Sequence, residues 1–310
     1  MAANQIEVSV IILTFNPDMD ALRKTIMSIV KQKKISIELI LSDDGSSHYK
    51  QNEIEQLLKE ISDIDYIYLK NNKNIGTVNN YFNAVKLSKG SFVKGISTGD
   101  FLYDELTLYK WITYMKERHL VWSFGDAKYY SNIKCGMNVE LHPKIILPYQ
   151  KNNIDICRYF YVVNDDKCLG AAVLCKRNEL LEYLQKINNI VRYAEDYIFQ
   201  LMMIDDMSFG YFPYPVIFYE YGDGISTTNN SQWVKKLDED KKNFLKYLIK
   251  YCDNNNLFQE NIIKSIKNKK NKKIIRFLNG VFIRTRIRFW FYKLIFQRKG
   301  KIVSEFLWWK

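Results

Sequence analysis

Histidine and cysteine are scarce in this chain of 310 residues, and neither is spaced as metal ligands usually are. The three histidines, at positions 48, 119 and 142, are far apart. The five cysteines form no Cys-x-x-Cys pair and no Cys/His pattern, so the spacing gives no sign of a zinc site. We predict reduced thiols in a cytosolic protein.

Long apolar runs are also missing. No stretch of eighteen apolar residues occurs, so a membrane-spanning helix is not expected. The chain enters a strand-like run at Ile6 without the basic and apolar regions of a signal peptide, and none is predicted. Because 47% of the residues are hydrophobic, the chain can still bury one large core, with room for an appendage.

Acidic residues almost disappear near the C-terminus. Residues 262–310 hold fifteen Lys and Arg against one acid, Glu305, a net charge of +14 that leaves −2 for residues 1–261. A basic segment of this kind is attracted to anionic lipid headgroups or to nucleic acid.

Strand-like and helix-like segments alternate through the first hundred residues. Buried strands are predicted over 6–15, 35–41, 66–69 and 91–97, and amphipathic helices over 20–33, 51–61 and 79–88. This order predicts a parallel, doubly wound α/β sheet. Later patterns predict helices over 180–187, 194–203 and 233–251, and an extended segment over 209–221.

Polar clusters follow three of the predicted strands, at residues 14–16, 42–45 and 97–100. In sheets of this type, ligands bind at the carboxyl ends of the strands. The three clusters are therefore expected to form one site.

These clusters belong to a series of motifs that resembles family 2 glycosyltransferases. The motifs are residues 10–16, residues 42–46, Asn74-Ile75-Gly76 with Asn80 and Ala84, residues 90–100, and Ala194-Glu195-Asp196-Tyr197. The family has the GT-A fold and mostly inverts anomeric configuration. The resemblance implies a Rossmann-like mixed α/β sheet flanked by helices, followed here by a helical basic tail.

The resemblance also implies a division of the chain and a nucleotide site. The expected units are a catalytic domain over 1–228, with a nucleotide-binding half over 1–100 and an acceptor half over 101–228, a helical extension over 229–261 and a tail over 262–310. The expected nucleotide contacts are Thr14, Phe15, Asn16, Asp43, Asp44, Asn74, Gly76, Asn80, Gly99 and Asp100.

Asp44 is the expected base contact, because its carboxylate can accept the N3–H of a uracil, and Asp43 is the less favoured choice. Gly45 would permit a positive φ in the turn. Two alternatives stay open. Asp-Asp-Gly-Ser is also a good turn sequence, and Asn74, Gly76 and Asn80 can serve as cap, turn or backbone devices.

Residues 97–100 fall where the family carries an acidic metal-binding motif. Gly99 stands in place of one acid, which leaves Asp100 as the predicted ligand of Mn²⁺ or Mg²⁺. One carboxylate can suffice, because Mg²⁺ is often held by one or two carboxylates together with phosphates and water. A late histidine of the family has no counterpart over residues 219–226. The alternative role of Asp100 is a helix N-cap.

Glu195-Asp196 resembles the acid pair on the acceptor side of the family's site. Asp196 is the predicted catalytic base and Glu195 an acceptor contact, because inversion by direct displacement needs one base for the acceptor hydroxyl proton. No separate acid for the leaving group is needed if a metal or another cation stabilises the diphosphate. The alternative is two acids in the first turn of a helix.

Residues 274–310 alternate basic with aliphatic and aromatic side chains, a pattern typical of an interfacial membrane anchor. A helical hairpin packed on the body and a grip on single-stranded nucleic acid are the alternatives. The sequence predicts no oligomeric state.

The combined hypothesis is an inverting transferase on the inner face of the cell membrane. It would move a hexose from a UDP-sugar to a lipid-linked saccharide or oligosaccharide in surface-glycan assembly. The rival from another class is a non-catalytic sugar-nucleotide or glycan-binding protein of the same fold. A nucleic-acid-associated protein is a third interpretation, with nucleic acid the least favoured partner.

Overall fold

The fold is described by a computed structural model over residues 6–61, 66–222, 231–252, 258–260, 262–263 and 280–310, with backbone alone for 280–286. The Lys/Asn-rich stretch over 264–273, whose composition predicts a linker, lies outside the described residues. Residues 223–226 of the late stretch without histidine do so too.

Ten strands are assigned. They are β1 (Val8–Thr14), β2 (Ile37–Asp43), β3 (Tyr66–Lys70), β4 (Phe92–Ser97), β5 (Phe101–Leu102), β6 (Trp122–Tyr130), β7 (Asn138–Glu140), β8 (Val173–Lys176), β9 (Phe209–Glu220) and β10 (Lys299–Lys301).

Within the described residues, where 258–260 and 262–263 are also helical, ten α-helices have both ends assigned. They are α1 (Met19–Val30), α2 (His48–Glu60), α3 (Thr77–Leu87), α4 (Thr107–Glu117), α5 (Leu147–Gln150), α6 (Ile154–Arg158), α7 (Arg177–Ile187), α8 (Ile198–Ile204), α9 (Ser231–Tyr251) and α10 (Gly280–Phe296). Short helical turns cover Tyr159–Val163, Gly170–Ala172 and Glu195–Tyr197.

Eight strands form one sheet in the order β3-β2-β1-β4-β8-β6-β9-β5. The first four are parallel, as predicted. β8 then runs antiparallel to both of its neighbours, and β5 runs antiparallel to β9, so the whole sheet is mixed. The chain order reverses beside β1, and this switch point opens a crevice at the carboxyl ends of β1 and β4.

Both faces of the sheet are covered by helices. One buried cluster joins the sheet to α3, α7, α8 and α9, and a second joins it to α1, α2 and α4. β1 reads Val-Ser-Val-Ile-Ile-Leu-Thr and is buried along almost its whole length. A near-continuous β-branched run of this kind is what a parallel strand with helices on both sides requires.

The elements predicted over residues 6–97 are all present, with ends that shift by a few residues. α2 begins at His48 rather than at 51, because the Gln51 amide donates to the Ser47 carbonyl over 3.0 Å and closes a turn there. The prediction of one helix over 194–203 was wrong at its start. Glu195–Tyr197 form a 3₁₀ turn, and the α-helix begins at Ile198.

The last twelve residues pack against the body of the protein. β10 pairs with β7 in a small antiparallel sheet. The Trp308 indole N–H donates to the Leu102 carbonyl over 2.9 Å, and the Trp309 ring lies edge-on to Phe101 at 5.3 Å. The end of the basic segment is therefore held beside β5, the strand that directly follows the predicted metal motif.

Candidate active site

The turn after β2 is built around Asp43. This side chain is fully buried and accepts hydrogen bonds from the Ser46 amide and hydroxyl and from the Gln51 side chain at 3.0 Å. Asp43 thus braces the turn and the first turn of α2 from within. Its predicted contact with the nucleotide stays a prediction.

Asp44 connects two loops that are thirty residues apart in the chain. One carboxylate oxygen accepts the Ile75 amide at 2.7 Å and the other accepts the Gly76 amide at 3.0 Å. Burial raises the pKa of Asp44, and these two amides together with Arg192 oppose the rise. Each oxygen keeps a further lone pair, so the predicted uracil contact stays compatible with this arrangement.

The loop after β1 lies against the same turn. The Asn16 amide donates to the Ser46 hydroxyl over 2.6 Å, and the Asn16 side-chain oxygen accepts the Ser47 amide at 3.0 Å. Thr14 is buried, whereas Phe15 is 50% exposed. An exposed ring beside two polar loops can cover a planar base, so the predicted nucleotide contact of Phe15 is compatible with this position.

Asn80 lies behind this rim. Its side-chain oxygen accepts from the Ser42 hydroxyl at 2.7 Å and from Asn71 at 2.8 Å, and its nitrogen donates to the Ser42 carbonyl over 3.0 Å. The residue is 2% exposed. The structure therefore gives Asn80 a clamping role between β2 and α3, and a nucleotide contact from it stays a prediction.

Arg192 is a site residue that the sequence did not reveal. Its guanidinium donates to both the backbone and the side-chain oxygen of Asn74, at 3.0 and 3.3 Å. Gly76 has φ +91°, and a Cβ there would overlap the Arg192 side chain and lie 2.7 Å from its carbonyl oxygen. Gly76 thus allows the loop of the donor side to touch the segment that leads to the acid pair.

Asp240, on α9, was also missed. Its carboxylate accepts the backbone amides of residues 192, 193 and 194, at 2.9, 2.7 and 3.1 Å. The signal was present in the sequence, because Asp240 falls in register with Phe244 and Leu248 on the buried stripe of an amphipathic helix. A buried carboxylate on such a stripe needs hydrogen-bond donors. Here the donors are backbone amides, so Asp240 holds the segment before Glu195 in place.

Glu195 and Asp196 follow that segment directly. Burial, then Asp196 and Asp240, raise the pKa of Glu195 to about 8, so this carboxyl is largely protonated at neutral pH. No group among the described residues donates a hydrogen bond to the Asp196 carboxylate. The Asp196 Cβ lies 3.3 Å from where a Cβ on Gly170 would stand, so the acid sits over the Gly170–Ala172 turn.

Asp100 lies between β4 and β5 and accepts the Glu220 amide at 2.9 Å. The alternative of a helix N-cap was wrong, since α4 begins only at Thr107. Burial raises the pKa of Asp100 to about 7; the Glu220 amide and Lys94 oppose the rise, and the Glu220 charge adds to it. Gly99, with φ +97°, donates its amide to the Thr25 hydroxyl over 3.1 Å.

Lys94, inside the sheet, interacts both with the Gly170–Ala172 turn and with Asp100. It is fully buried, and its ammonium donates to the carbonyls of Gly95 and Ala171, the latter at 2.7 Å. Burial lowers the pKa of Lys94 to about 7, while Asp100 opposes that fall. The lysine thus holds the Gly170–Ala172 turn under Asp196 from β4, the strand that precedes Asp100 in the chain.

The contacts form one connected series along the carboxyl edge of the sheet. In order, it passes through Asp44, the 74–76 loop, Arg192, the acid pair, Gly170–Ala172, Lys94 and Asp100. The donor-side motifs and the acid pair therefore belong to one rim.

The residues present fit a divalent cation that is bound partly by protein carboxylates and partly by a diphosphate. Among the described residues, no group of three or more His, Cys, Asp or Glu side chains is gathered as a metal site. Asp100 and Glu220 nevertheless place carboxylates side by side, the hard oxygen ligands that Mn²⁺ and Mg²⁺ take. The Glu220 carboxylate lies where a Cβ on residue 99 would stand, so glycine at that position makes room for it beside Asp100.

A mixed sheet with its site at this edge is the GT-A fold. S. aureus TarS 1–349 in complex with UDP-GlcNAc matches with a TM-score of 0.56 and 15% identity, over 85% of this chain and 72% of that one. The mannosyltransferase PcManGT from Pyrobaculum calidifontis, in complex with GDP-Man and Mn²⁺, matches with a TM-score of 0.52 and 10% identity, over 94% and 86%.

The sequence comparison gives the family. The model for glycosyl transferase family 2 matches residues 9–160. The uncharacterized glycosyltransferase MG060 of Mycoplasma genitalium is 30% identical over 132 residues, which is 42% of this chain and 42% of that protein's length. Residues 9–160 thus match the family that the motif series predicts, and the structure has its GT-A fold.

Proposed function

We propose that this chain is an inverting hexosyltransferase that uses a UDP-sugar as donor. The observation that carries the proposal is the position of Asp196. Its carboxylate accepts no hydrogen bond from the described residues, and it stands on the same rim as the loops that resemble a nucleotide site. A base without competing partners is ready to accept a proton from a bound hydroxyl.

The reaction is a single displacement. A carboxylate oxygen of Asp196 takes the proton of the acceptor hydroxyl while that oxygen attacks the anomeric carbon from the side opposite the diphosphate. The new C–O bond forms as the bond to the diphosphate breaks, and the electron pair leaves with UDP. Glu195, protonated near neutral pH, can donate a hydrogen bond that orients the acceptor.

The leaving group needs positive charge near it. Mn²⁺ or Mg²⁺ bound by Asp100 would neutralise the diphosphate as the sugar departs. Arg192, exposed at the Asn74 loop, is a cation that the structure offers to the donor side. Asp44 and Asp43 hold the two loops against which the nucleoside would lie.

The direct test is a panel of donors. The protein is incubated with UDP-GlcNAc, UDP-glucose, UDP-galactose and GDP-mannose, each with Mn²⁺, with Mg²⁺ or with EDTA. We expect release of UDP from one UDP-sugar, a preference for it over GDP-mannose and, with an acceptor, a product of inverted anomeric configuration by NMR. Donor binding without hydrolysis or transfer on any acceptor would instead establish the non-catalytic alternative.

We further propose that the acceptor is lipid-linked and that α10 holds the enzyme at an anionic membrane. Phe289 and Tyr292 of α10 pack their rings on Phe160 at 5.0 and 5.8 Å. The opposite side is exposed; its large apolar residues are Ile287, Trp290, Phe291, Leu294 and Ile295. Aromatic side chains beside basic ones suit the headgroup region of a bilayer.

This association would be peripheral. None of the helices within the described ranges has the combination of length and apolar character that crossing a bilayer demands. The proposed division keeps 1–228 as the catalytic domain, 229–261 as a helical extension and 262–310 as the membrane-associating tail. Since residues 299–310 pack on the catalytic sheet, point changes on α10 test the anchor better than deletion of the tail.

The membrane test uses vesicles of phosphatidylcholine with and without phosphatidylglycerol. We expect binding only to the anionic vesicles, and at least tenfold weaker binding for the triple variant Trp290→Ser, Phe291→Ser, Leu294→Ser. Ile133→Ser, at a residue that is 91% exposed elsewhere, is the control. Equal vesicle binding by wild type and triple variant would contradict the anchor, and salt-sensitive oligonucleotide binding lost in the triple variant would favour nucleic acid.

A further inference from the structure

We propose that Glu220, the last residue of β9, supplies a second carboxylate ligand to the donor-bound divalent cation, in the space that an acidic residue at position 99 would otherwise use. The inference rests on the proposed function, because it concerns the cation that accompanies the diphosphate. Glu220 is more than a hundred residues away in the sequence from the motif at residues 97–100 that it would complete.

The first argument is steric. A Cβ built on Gly99 would overlap the Oε2 atom of Glu220 and lie 3.3 Å from its Cδ. The Glu220 carboxylate thus occupies the place where any side chain of residue 99 would begin. A carboxylate from β9 therefore takes the place beside Asp100 that a side chain at position 99 would use.

The second argument is that the backbone fixes this arrangement. β5 pairs with β9 in an antiparallel register with Phe101 opposite Phe218, which puts Gly99 opposite Glu220 when the register is continued. The Glu220 amide donates to one carboxylate oxygen of Asp100 over 2.9 Å. On the other side, the Tyr130 hydroxyl donates to the Gly99 carbonyl, and β6 pairs Tyr130 with Glu220. Three neighbouring segments thus hold both acids at one place.

The third argument is electrostatic. Two carboxylates on adjacent strands repel each other in a poorly solvated site, and a cation between them removes that repulsion. Asp100 is 3% exposed, and its second carboxylate oxygen accepts no hydrogen bond from the described residues. Mg²⁺ and Mn²⁺ favour a site with one or two carboxylates, completed by phosphate oxygens and water. Asp100 and Glu220 supply that pair.

The test measures metal binding rather than turnover. Mn²⁺ is titrated into the full chain with UDP present, and free Mn²⁺ is followed by electron paramagnetic resonance. We expect Glu220→Ala to weaken Mn²⁺ binding at least tenfold. Glu117→Gln, an exposed acid on α4, is the control for lost charge and should bind Mn²⁺ as the wild type does.

Gly99→Ala sharpens the test, because it removes no carboxylate and yet excludes the Glu220 carboxylate from its place. We expect Mn²⁺ binding to weaken in this variant too. The double variant Gly99→Asp, Glu220→Ala returns a carboxylate to position 99 and should recover part of the lost affinity. Circular dichroism and UDP binding in EDTA report whether each variant is folded.

The inference is overturned if Glu220→Ala and Gly99→Ala, both folded, bind Mn²⁺ as tightly as the wild type while Asp100→Asn does not. The proposed function fails separately, if Mn²⁺ and UDP bind the wild type as expected but no donor is hydrolysed or transferred.

Discussion

The acids on the predicted donor side and on the predicted acceptor side of this site differ in how many hydrogen bonds their carboxylates accept. Asp43 and Asp44 are buried and accept two or more hydrogen bonds each from neighbouring loops. Asp196 accepts none from the described residues. The pKa of Glu195 is raised to about 8 by burial and by the neighbouring acids. On the donor side the carboxylates stabilise the loops through hydrogen bonds. On the acceptor side the Asp196 carboxylate has no such hydrogen bond among the described residues.

The difference shows where rigidity is needed. A nucleotide must be held by loops of fixed shape, so the donor-side acids serve as acceptors for backbone amides. A base must meet a substrate hydroxyl, so its own hydrogen bonds would compete with the reaction. The acceptor side obtains its rigidity indirectly, from Asp240 before the acid pair and from Lys94 below it.

The largest expected effect is at Asp196. Asp196→Asn should lower the transfer rate by about 10² to 10⁴, because the amide cannot take the acceptor proton, with melting temperature and UDP affinity unchanged. Steady-state kinetics and a thermal melt check both parts. A variant that keeps its rate would remove the proposed distinction between the two sides.

The second effect is at Asp240. Asp240→Ala leaves three backbone amides of residues 192–194 without their acceptor, so we expect a loss of about 2–3 kcal/mol in the free energy of unfolding. The transfer rate should also fall while UDP affinity is retained, because the acid pair moves. Glu239→Ala, on the exposed face of the same helix, is the control. Equal urea midpoints for both variants would contradict the role.

The third effect is at Asp44. Asp44→Ala frees the amides of Ile75 and Gly76 and should cost about 1–2 kcal/mol in the free energy of unfolding. UDP affinity should fall at least tenfold, since the two loops lose their connection. Calorimetric titration of UDP, with exposed Asp238→Ala as control, measures this. Loss of rate with unchanged UDP affinity would place Asp44 on the catalytic side instead.

The smallest effect concerns pH. The pKa of Glu195 rises from 4.5 to about 8 on folding, so the folded state binds this proton more tightly than the unfolded state. Stability from this group is therefore lost as pH increases through that interval. Glu195→Gln should show a smaller decrease in urea midpoint between pH 5 and pH 8.5 than the wild type. Parallel decreases would mean that Glu195 is solvated like an ordinary acid.

The sequence predicted the first half of the fold far better than the second. β1 to β4 are parallel strands with uniform apolar runs and short connections, and their order follows from alternation with helices alone. The strands that complete the sheet are joined by long, irregular segments. Only tertiary pairing places β8 between β4 and β6, so no local pattern could reveal the mixed topology.

The site divides in the same way. The motifs around Asp44, Asp100 and Asp196 are contiguous in the chain, so spacing and residue type alone pointed to them and to family 2 glycosyltransferases. Arg192, Asp240, Lys94 and Glu220 act on those motifs from other strands and helices, and each is unremarkable in its own sequence neighbourhood. The sequence by itself determined which loops are predicted to carry the chemistry, because loop motifs are local. Only the tertiary structure decided which distant side chains support them, because contacts across a sheet depend on strand order and register.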